Sequence, residues 1–226
     1  MSLPPGVLGP LDAAITELIH AYPPRRPRPD SHYLLTPDMP GPYGTLRLGF
    51  GAPQNYNGPP EEMRPVVSDE CCLRHGRVAA PIAKFIGSGA MRAVSLLVNR
   101  LFEELDGRES ARYRAAFSRH RNEKAVWAGN PEQDTFSVVE LVANVYATNH
   151  RDYDSYDGWC AVIPVGNFTG GELCMPDLKA KVPLAAGDVF FFRSGAIDYV
   201  LNKWTGDHRY LLLFRMDHVV LESPGS

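Results

Sequence analysis

The clearest rhythm in the chain runs from Met91 to Leu105, where Val94, Leu97, Val98, Leu101 and Leu105 recur at three- and four-residue spacing and predict the apolar stripe of a helix. Asp106-Gly107 ends it. Glu109 to Arg121 predicts a second, more polar helix in which Tyr113, Ala116, Phe117 and His120 share a face, and His120 reads there as a packed or surface histidine. After residue 135 the period shortens. FSVVELVANVYA, WCAVIPV, GELCMP, KVPL, DVFFF, IDYVL and RYLLLF follow one another, separated by Asn-Phe-Thr-Gly-Gly, Ala-Gly-Asp and Thr-Gly-Asp-His, with no helical pattern between them. Such a succession of short strands predicts an antiparallel barrel or double-sheet jelly roll, with the preceding helices packed on one outer face.

The first third of the chain has a different texture. Most of the twenty prolines lie there, and a stretch such as PPRRPRPD (23 to 30) sustains neither helix nor central strand, because proline lacks the amide donor and fixes φ. Residues 1–85 are therefore expected to form a proline-rich arm and loops, with a short helix over Leu11 to Tyr22 and a strand from Gly44 to Phe50. Residues 86–125 are expected to form a helical layer and 135–218 the β core. A single domain of 226 residues, 44% of them hydrophobic, is long enough to bury a full core. The fold expectation is mainly β, with N-terminal helices on one face.

Four cysteines, Cys71, Cys72, Cys160 and Cys174, show neither zinc-site spacing nor the density of a disulfide scaffold, so buried free thiols are expected. A net charge of −3 excludes the global basic field of a strong nucleic-acid binder. Its distribution is uneven, with bases in excess from Arg108 to Lys124 and acids in excess after Pro131. No apolar run spans a membrane, and an intracellular protein, nuclear or cytoplasmic, is expected.

Two features carry candidate chemistry. If the strand from Val138 persists, period-two alternation puts Val142, Asn144, Tyr146, His150 and Asp152 on one face. His150-x-Asp152 then reads either as a metal-binding pair inside a barrel mouth or as a polar loop. In HRYLLLFRM, alternation places Arg209, Leu211, Leu213 and Arg215 on one face and Tyr210, Leu212 and Phe214 on the other, both apolar enough to be covered. A buried guanidinium is costly unless a carboxylate or phosphate meets it, and no alternating acid in the neighbouring strand candidates stands out as partner. A bound dicarboxylate would satisfy it.

With these landmarks (N-H-R-D, WCAVIPVGNF, T-G-G-E-L, A-G-D-V-F-F-F and G-D-H-R-Y-L-L-L-F) residues 135 to 216 resemble the Fe(II)/2-oxoglutarate dioxygenases of the double-stranded β-helix fold. Their order and spacing are most similar to the TET/JBP-like group of fungal proteins, which oxidise 5-methylcytosine or thymine in nucleic acid. Arg209-x5-Arg215 and Asn144-x-Tyr146 also resemble motifs of AlkB-type demethylases. The resemblance implies Fe(II) held by His150 and Asp152, 2-oxoglutarate clamped by Arg209 with Asn144 and Tyr146 hydrogen-bonded to it, and Arg215 and Tyr153 near the substrate. It implies structural turns at Gly170-Gly171 and Gly187-Asp188.

The departure lies in the third ligand. The family carries a histidine on the strand before the clamping arginine, whereas this chain has Gly195-Ala-Ile-Asp-Tyr-Val-Leu-Asn-Lys-Trp. The position falls on Asp198 or Tyr199. Asp198 is preferred, since a carboxylate suits iron and Ile197 and Val200 then match the flanking apolar positions. His208 neighbours Arg209 and must face the other way, and His218 lies beyond the strand. The resemblance thus implies either a dioxygenase acting on a methylated base in DNA or RNA, or on a small molecule or peptide, or else a catalytically degenerate binding module of the same fold. For nucleic acid, Arg25, Arg26, Arg28 and the Arg108 to Lys124 helix are the candidate backbone contacts.

Overall fold

The structure, a computed structural model, describes residues 1–28, 31–35, 41–53, 58–59, 62–72, 78–120, 122–152 and 158–223. In chain order the first elements are α1 (Pro5–Ala21), β1 (Tyr33–Leu35), β2 (Gly44–Gly51), β3 (Val66–Val67), α2 (Ala80–Ile86), α3 (Gly89–Leu105) and α4 (Gly107–Arg119). The strands β4 (Val138–Ala143), β5 (Val145–His150), β6 (Cys160–Gly170), β7 (Leu173–Met175), β8 (Ala180–Val182), β9 (Phe190–Phe192), β10 (Tyr199–Leu201) and β11 (Trp204–Arg215) follow, and α5 (His218–Glu222) closes the described chain. All strand pairs are antiparallel. One sheet runs β1-β5-β10-β7-β8, the other β3-β2-β4-β11-β6-β9, and together they make the double-stranded β-helix.

The alternation in β11 sorts the core into two halves. Leu211 and Leu213 join Val142, Val162, Leu173, Phe192 and Leu201 between the two sheets. Tyr210, Leu212 and Phe214 point the other way, into a cluster built with Leu141, Ile163 and the helices. This is the two-faced strand expected from the sequence, and it fixes which end of each side chain sees the barrel.

The arm is more structured than its prolines suggest. Its helix starts at Pro5, where proline sits in the first turn and the missing donor has no intrahelical role, and packs Leu11, Ile15, Leu18 and Ile19 into the helical layer. The expected strand at Gly44 extends the larger sheet by pairing with β4, and β1 pairs with β5 at the edge of the smaller one. Within α3 the buried face is Met91, Val94, Ser95, Val98, Asn99 and Phe102, rotated from the expected stripe. Leu105 is 51% exposed, because the aromatic Phe102, packed on Tyr113 at 5.2 Å and Phe136 at 5.1 Å, recruits its own side of the helix instead. His120 is buried, with Nε2 3.2 Å from the Val220 carbonyl, as a packed histidine should be. All four cysteines are free; Cys71 and Cys160 are buried as expected, but Cys72 is exposed after β3 and Cys174, in β7, is half-buried.

The rotated face has a direct consequence for stability. Phe102→Ala is expected to cost about 3–5 kcal/mol, the range for a fully buried aromatic, whereas Leu105→Ala is expected to stay within about 0.5 kcal/mol. Urea unfolding of both variants checks it; equal costs would return Leu105 to the core.

Candidate functional site

The site is made where β5 meets β10. Tyr199 pairs with His150 and Leu201 with Ala147, so β5 advances by one more residue than its partner over the same interval, a β-bulge at Thr148 and Asn149, both exposed. The bulge reverses the phase of the strand. Val145 and Ala147 face the barrel, and after the bulge His150 does so too, although simple alternation from Ala147 would turn it outwards. The expectation that Tyr146 shares this face is therefore overturned. Tyr146 sits on the outer surface, half-buried, with the Lys203 ammonium 5.5 Å from its ring centroid.

Asn144 is also not free to bind a cosubstrate. Its φ of 54° breaks the strand between β4 and β5, a conformation asparagine tolerates better than most residues. Its Oδ1 accepts from the Arg209 amide at 3.0 Å and its Nδ2 donates to the Pro42 carbonyl at 2.8 Å, so the buried side chain is spent on holding the backbone beside Arg209.

His150 is held in a defined orientation. Its Nδ1 lies 2.7 Å from the Thr148 carbonyl, which only accepts, so Nδ1 carries a proton and Nε2 is the nitrogen turned towards the pocket. That Nε2 is buried and has no hydrogen-bond partner. Asp152 Oδ1 lies 3.9 Å away, beyond hydrogen-bond reach, and the two side chains are only 8% and 11% exposed. A backbone bond from the Asp152 amide to the Ser194 carbonyl, 3.1 Å, pins the aspartate to the turn before β10.

Two neighbours complete the cluster. The His32 ring stacks on His150 at 3.7 Å and 13°, brought there by the β1–β5 pairing, and its Nε2 is likewise buried and unpartnered. Burial, then the adjacent His150, lowers its pKa to about 4. Tyr199 approaches from β10 with its ring centroid 4.2 Å from that of His150 and donates its hydroxyl to Asp152 Oδ1 at 3.0 Å. Burial, then the Asp152 carboxylate, raises the phenol well above its ordinary range, so it is a neutral donor.

Asp198, the preferred third ligand in the sequence, is not in this group. It points outwards to Arg151, Oδ1 to Nε 2.7 Å, and its side chain is 30% exposed. Strand alternation explains the correction: Tyr199 is the residue in register with His150, so Asp198 must face the opposite side. His208 also faces away, bonded to Asp12 of α1 at 2.8 Å. Tyr153 lies outside the described residues.

Arg209 is fully buried. Its Nη2 donates to the Gly171 carbonyl at 2.7 Å and its guanidinium lies 5.1 Å from the Phe168 ring centroid, while Nε and Nη1 are buried without a partner. Burial lowers its pKa to about 10, which leaves it charged at neutral pH. Gly171 does more than turn the chain: a Cβ there would sit 2.7 Å from Arg209 Cζ, so the glycine is the floor under the guanidinium. Arg215, at the other end of β11, does have a strand partner, contrary to expectation. Glu140 on β4, paired with Leu213, meets its Nη2 at 2.9 Å.

Above the His150–Asp152 pair opens a hollow of about 290 Å³, lined by His32, Tyr33, Arg47, Glu140, Asp152 and Arg215 among others. It adjoins one of about 460 Å³ to which Arg25, Arg26 and Arg28 contribute. The arm arginines thus do reach the mouth, but with acids beside them: Arg25 bonds Asp69 and Glu70 at 3.1 and 3.0 Å, and Arg47 bonds Asp217 at 2.7 Å. The expected basic helix lies elsewhere, in the helical layer, where Arg112 bonds Glu109 and Arg114 approaches Asp134. Sequence reasoning missed His32, Gly171 and Glu140. The double glycine was a signal for the second; nothing in the proline-rich context marked the first.

No protein-family model matches this sequence, and no curated protein does. Solved structures share its fold. NgTET1, solved in complex with 5mC DNA, is 14% identical and superposes with a TM-score of 0.65 over 98% of this chain and 71% of its own. A 2OG-Fe(II) oxygenase family protein from Burkholderia pseudomallei, 14% identical, covers 92% of this chain and 76% of its own at a TM-score of 0.43. OsALKBH1, also 14% identical, covers 93% and 92% at 0.39. The chain has the fold of the 2-oxoglutarate/Fe(II) oxygenases, with its likeness to NgTET1 running through nearly its whole length.

The stacked histidines make a pH prediction. His32 is harder to protonate folded than unfolded, so between about pH 6.5 and about pH 4 the unfolded chain takes up a proton the folded one refuses, and stability falls as pH drops through that window. His32→Gln is expected to flatten this part of the stability profile, measured by urea unfolding at stepped pH; an unchanged slope would show that His32 does not cause it.

Proposed function

We propose that this chain is an oxygenase-fold binding protein that has given up ferrous 2-oxoglutarate chemistry. The observation that carries the reading is the hydroxyl of Tyr199 on Asp152, in register with His150, where the family resemblance calls for a histidine. Fe(II) in this fold needs three protein donors on one face, with open positions for 2-oxoglutarate and O₂. His150 Nε2 and the carboxylate of Asp152 suit it; a neutral buried phenol does not, and Asp198 is turned away. Among the described residues no group of three His, Cys, Asp or Glu side chains is arranged to hold a metal ion. The residues do not fit the ferrous set, and oxidation of a 5-methylcytosine-like base is therefore not assigned to this chain.

What remains is a pocket with unspent binding capacity. The unpartnered Nε and Nη1 of Arg209 favour a carboxylate ligand, since a buried guanidinium left with open donors is costly. The hollows at the mouth, edged by Arg25, Arg26, Arg28, Arg47 and Arg215, support nucleic acid as the partner, the class of ligand present in the NgTET1 complex. The acids beside those arginines limit the attraction, and the expected affinity is moderate and strongly salt-dependent.

Two experiments test the reading. Anaerobic addition of Fe(II) and 2-oxoglutarate is expected to give no visible chelate band and, with air, no succinate from the wild-type chain, whereas Tyr199→His is expected to gain the band. Succinate formed by the wild type at a rate proportional to protein would overturn the proposal. For the partner, anisotropy with short labelled DNA and RNA is expected to show binding at low salt that weakens steeply as salt rises, and loses affinity in Arg26→Ala/Arg28→Ala. Absence of binding at low salt would remove nucleic acid as the ligand.

A further inference from the structure

We propose that the loop of residues 128–137, where it packs on α3, holds a monovalent alkali cation through Asn99 Oδ1, Asn130 Oδ1 and Gln133 Oε1. The site belongs to the helical layer and shares no residue with the hollows of the barrel mouth.

The observation that carries it is a set of buried amides whose donors are spent and whose acceptors are not. Asn99 is 6% exposed, Gln133 2% and Asn130 not at all. Asn99 Nδ2 donates to the Glu132 carbonyl at 2.5 Å and to Asp134 Oδ1 at 2.8 Å. Gln133 Nε2 donates to the Phe136 carbonyl at 2.6 Å, and Asn130 Nδ2 to the hydroxyl of Ser95, one turn before Asn99 on α3, at 3.0 Å. Carbonyls and carboxylates only accept, so the Asn99 and Gln133 amides cannot turn over without losing these bonds. Three side-chain carbonyl oxygens remain, each buried and without a hydrogen-bond partner among the described residues. They belong to one contact: the Asn99 and Asn130 bonds strap the loop to a single stretch of helix, and the Gln133 backbone amide donates to the Asn130 carbonyl at 3.0 Å.

Three acceptors with no donor between them favour a cation over water. One water donates two bonds, so a third oxygen stays unmet and the water's own lone pairs find no donor in this set. A hard cation is met by all three oxygens at once, with solvent or backbone carbonyls completing its shell. The charge of the ion follows from that of the lining. Asp134, the carboxylate bonded to Asn99, is already committed, since its Oδ1 also accepts from Thr135 Oγ1 at 2.7 Å and its Oδ2 faces Arg114 Nε at 3.4 Å. The lining is therefore close to neutral. Neutral carbonyl dipoles replace the hydration shell of a monovalent ion, whereas Ca²⁺ sites rely on several carboxylates to offset a larger dehydration cost. The bound ion clamps the loop that leads from the helical layer into β4.

Thermal unfolding of the full chain in NaCl, KCl or tetramethylammonium chloride at equal ionic strength tests the site. Tm is expected to rise with Na⁺ or K⁺ along a saturating curve, by about 3–6 °C at ten times Kd, and to stay level with tetramethylammonium. Crystals of the chain grown in RbCl are expected to show an anomalous peak against the three oxygens. Gln133→Met is expected to lose both the peak and the Tm response. Asn130→Asp adds a carboxylate and still meets Ser95 through the serine hydroxyl; it is expected to gain a response to Ca²⁺ that the wild type lacks, which keeps the test decisive if Gln133→Met does not fold. Equal Tm in all three salts with no rubidium peak would mean ordered water at these oxygens and overturns the site. A response kept in full by folded Gln133→Met, or an Asn130→Asp chain indifferent to Ca²⁺, overturns it too. None of these results bears on nucleic-acid binding or succinate formation, so failure here is told apart from failure of the proposed function.

Discussion

The pairing of β5 with β10 is the constraint on which the rest depends. One extra residue at Thr148–Asn149 turns His150 into the barrel and sets it opposite Tyr199. Because side chains alternate with a period of two, either strand slipping by one position would bring Asp198 inwards and send Tyr199 to the surface. The register holds because both faces are specified. Ala147, Leu201 and Tyr199 belong to the barrel core, and Asp198 is satisfied outside by Arg151. Which of Asp198 and Tyr199 faces His150 is therefore a property of the core packing.

Much of the fold is legible in the chain. The alternation in β11 predicts which residues enter the barrel and which meet the helices, because that strand is long, regular and covered on both sides. The same alternation separates His208 from Arg209. Less legible are the places where regularity breaks. A bulge carries no obvious mark in Ala-Thr-Asn-His, so simple alternation puts Tyr146 on the wrong face, and the positive φ of Asn144 turns a candidate ligand-binding amide into a backbone clamp. For Asp198 against Tyr199, flanking apolar residues fit either phase, and only the strand partner decides. The arm departs from expectation for a related reason. Proline disfavours strands and helix interiors, yet the arm places Pro5 in the first turn of α1 and carries Pro10 within it, while its strands β1, β2 and β3 are the segments that contain no proline.

The site combines groups that a simple barrel core would not retain. Arg209 is buried with two nitrogens unpaired, His150 and His32 each keep an unpartnered nitrogen, and Gly171 leaves room for the guanidinium. Such groups cost stability in the absence of a ligand, and apolar residues of similar size would pack the same space more favourably. Their joint presence favours an anionic ligand against Arg209, while the bond between Tyr199 and Asp152 places a protonated phenol where a ferrous site would need a third donor.

An anaerobic crystal structure of the chain grown with Fe(II) and 2-oxoglutarate tests this most directly. The expected result is Tyr199 in place against Asp152 with no ferrous ion between His150 and Asp152. A ferrous ion bound there, chelated by 2-oxoglutarate with Tyr199 swung aside, would contradict it.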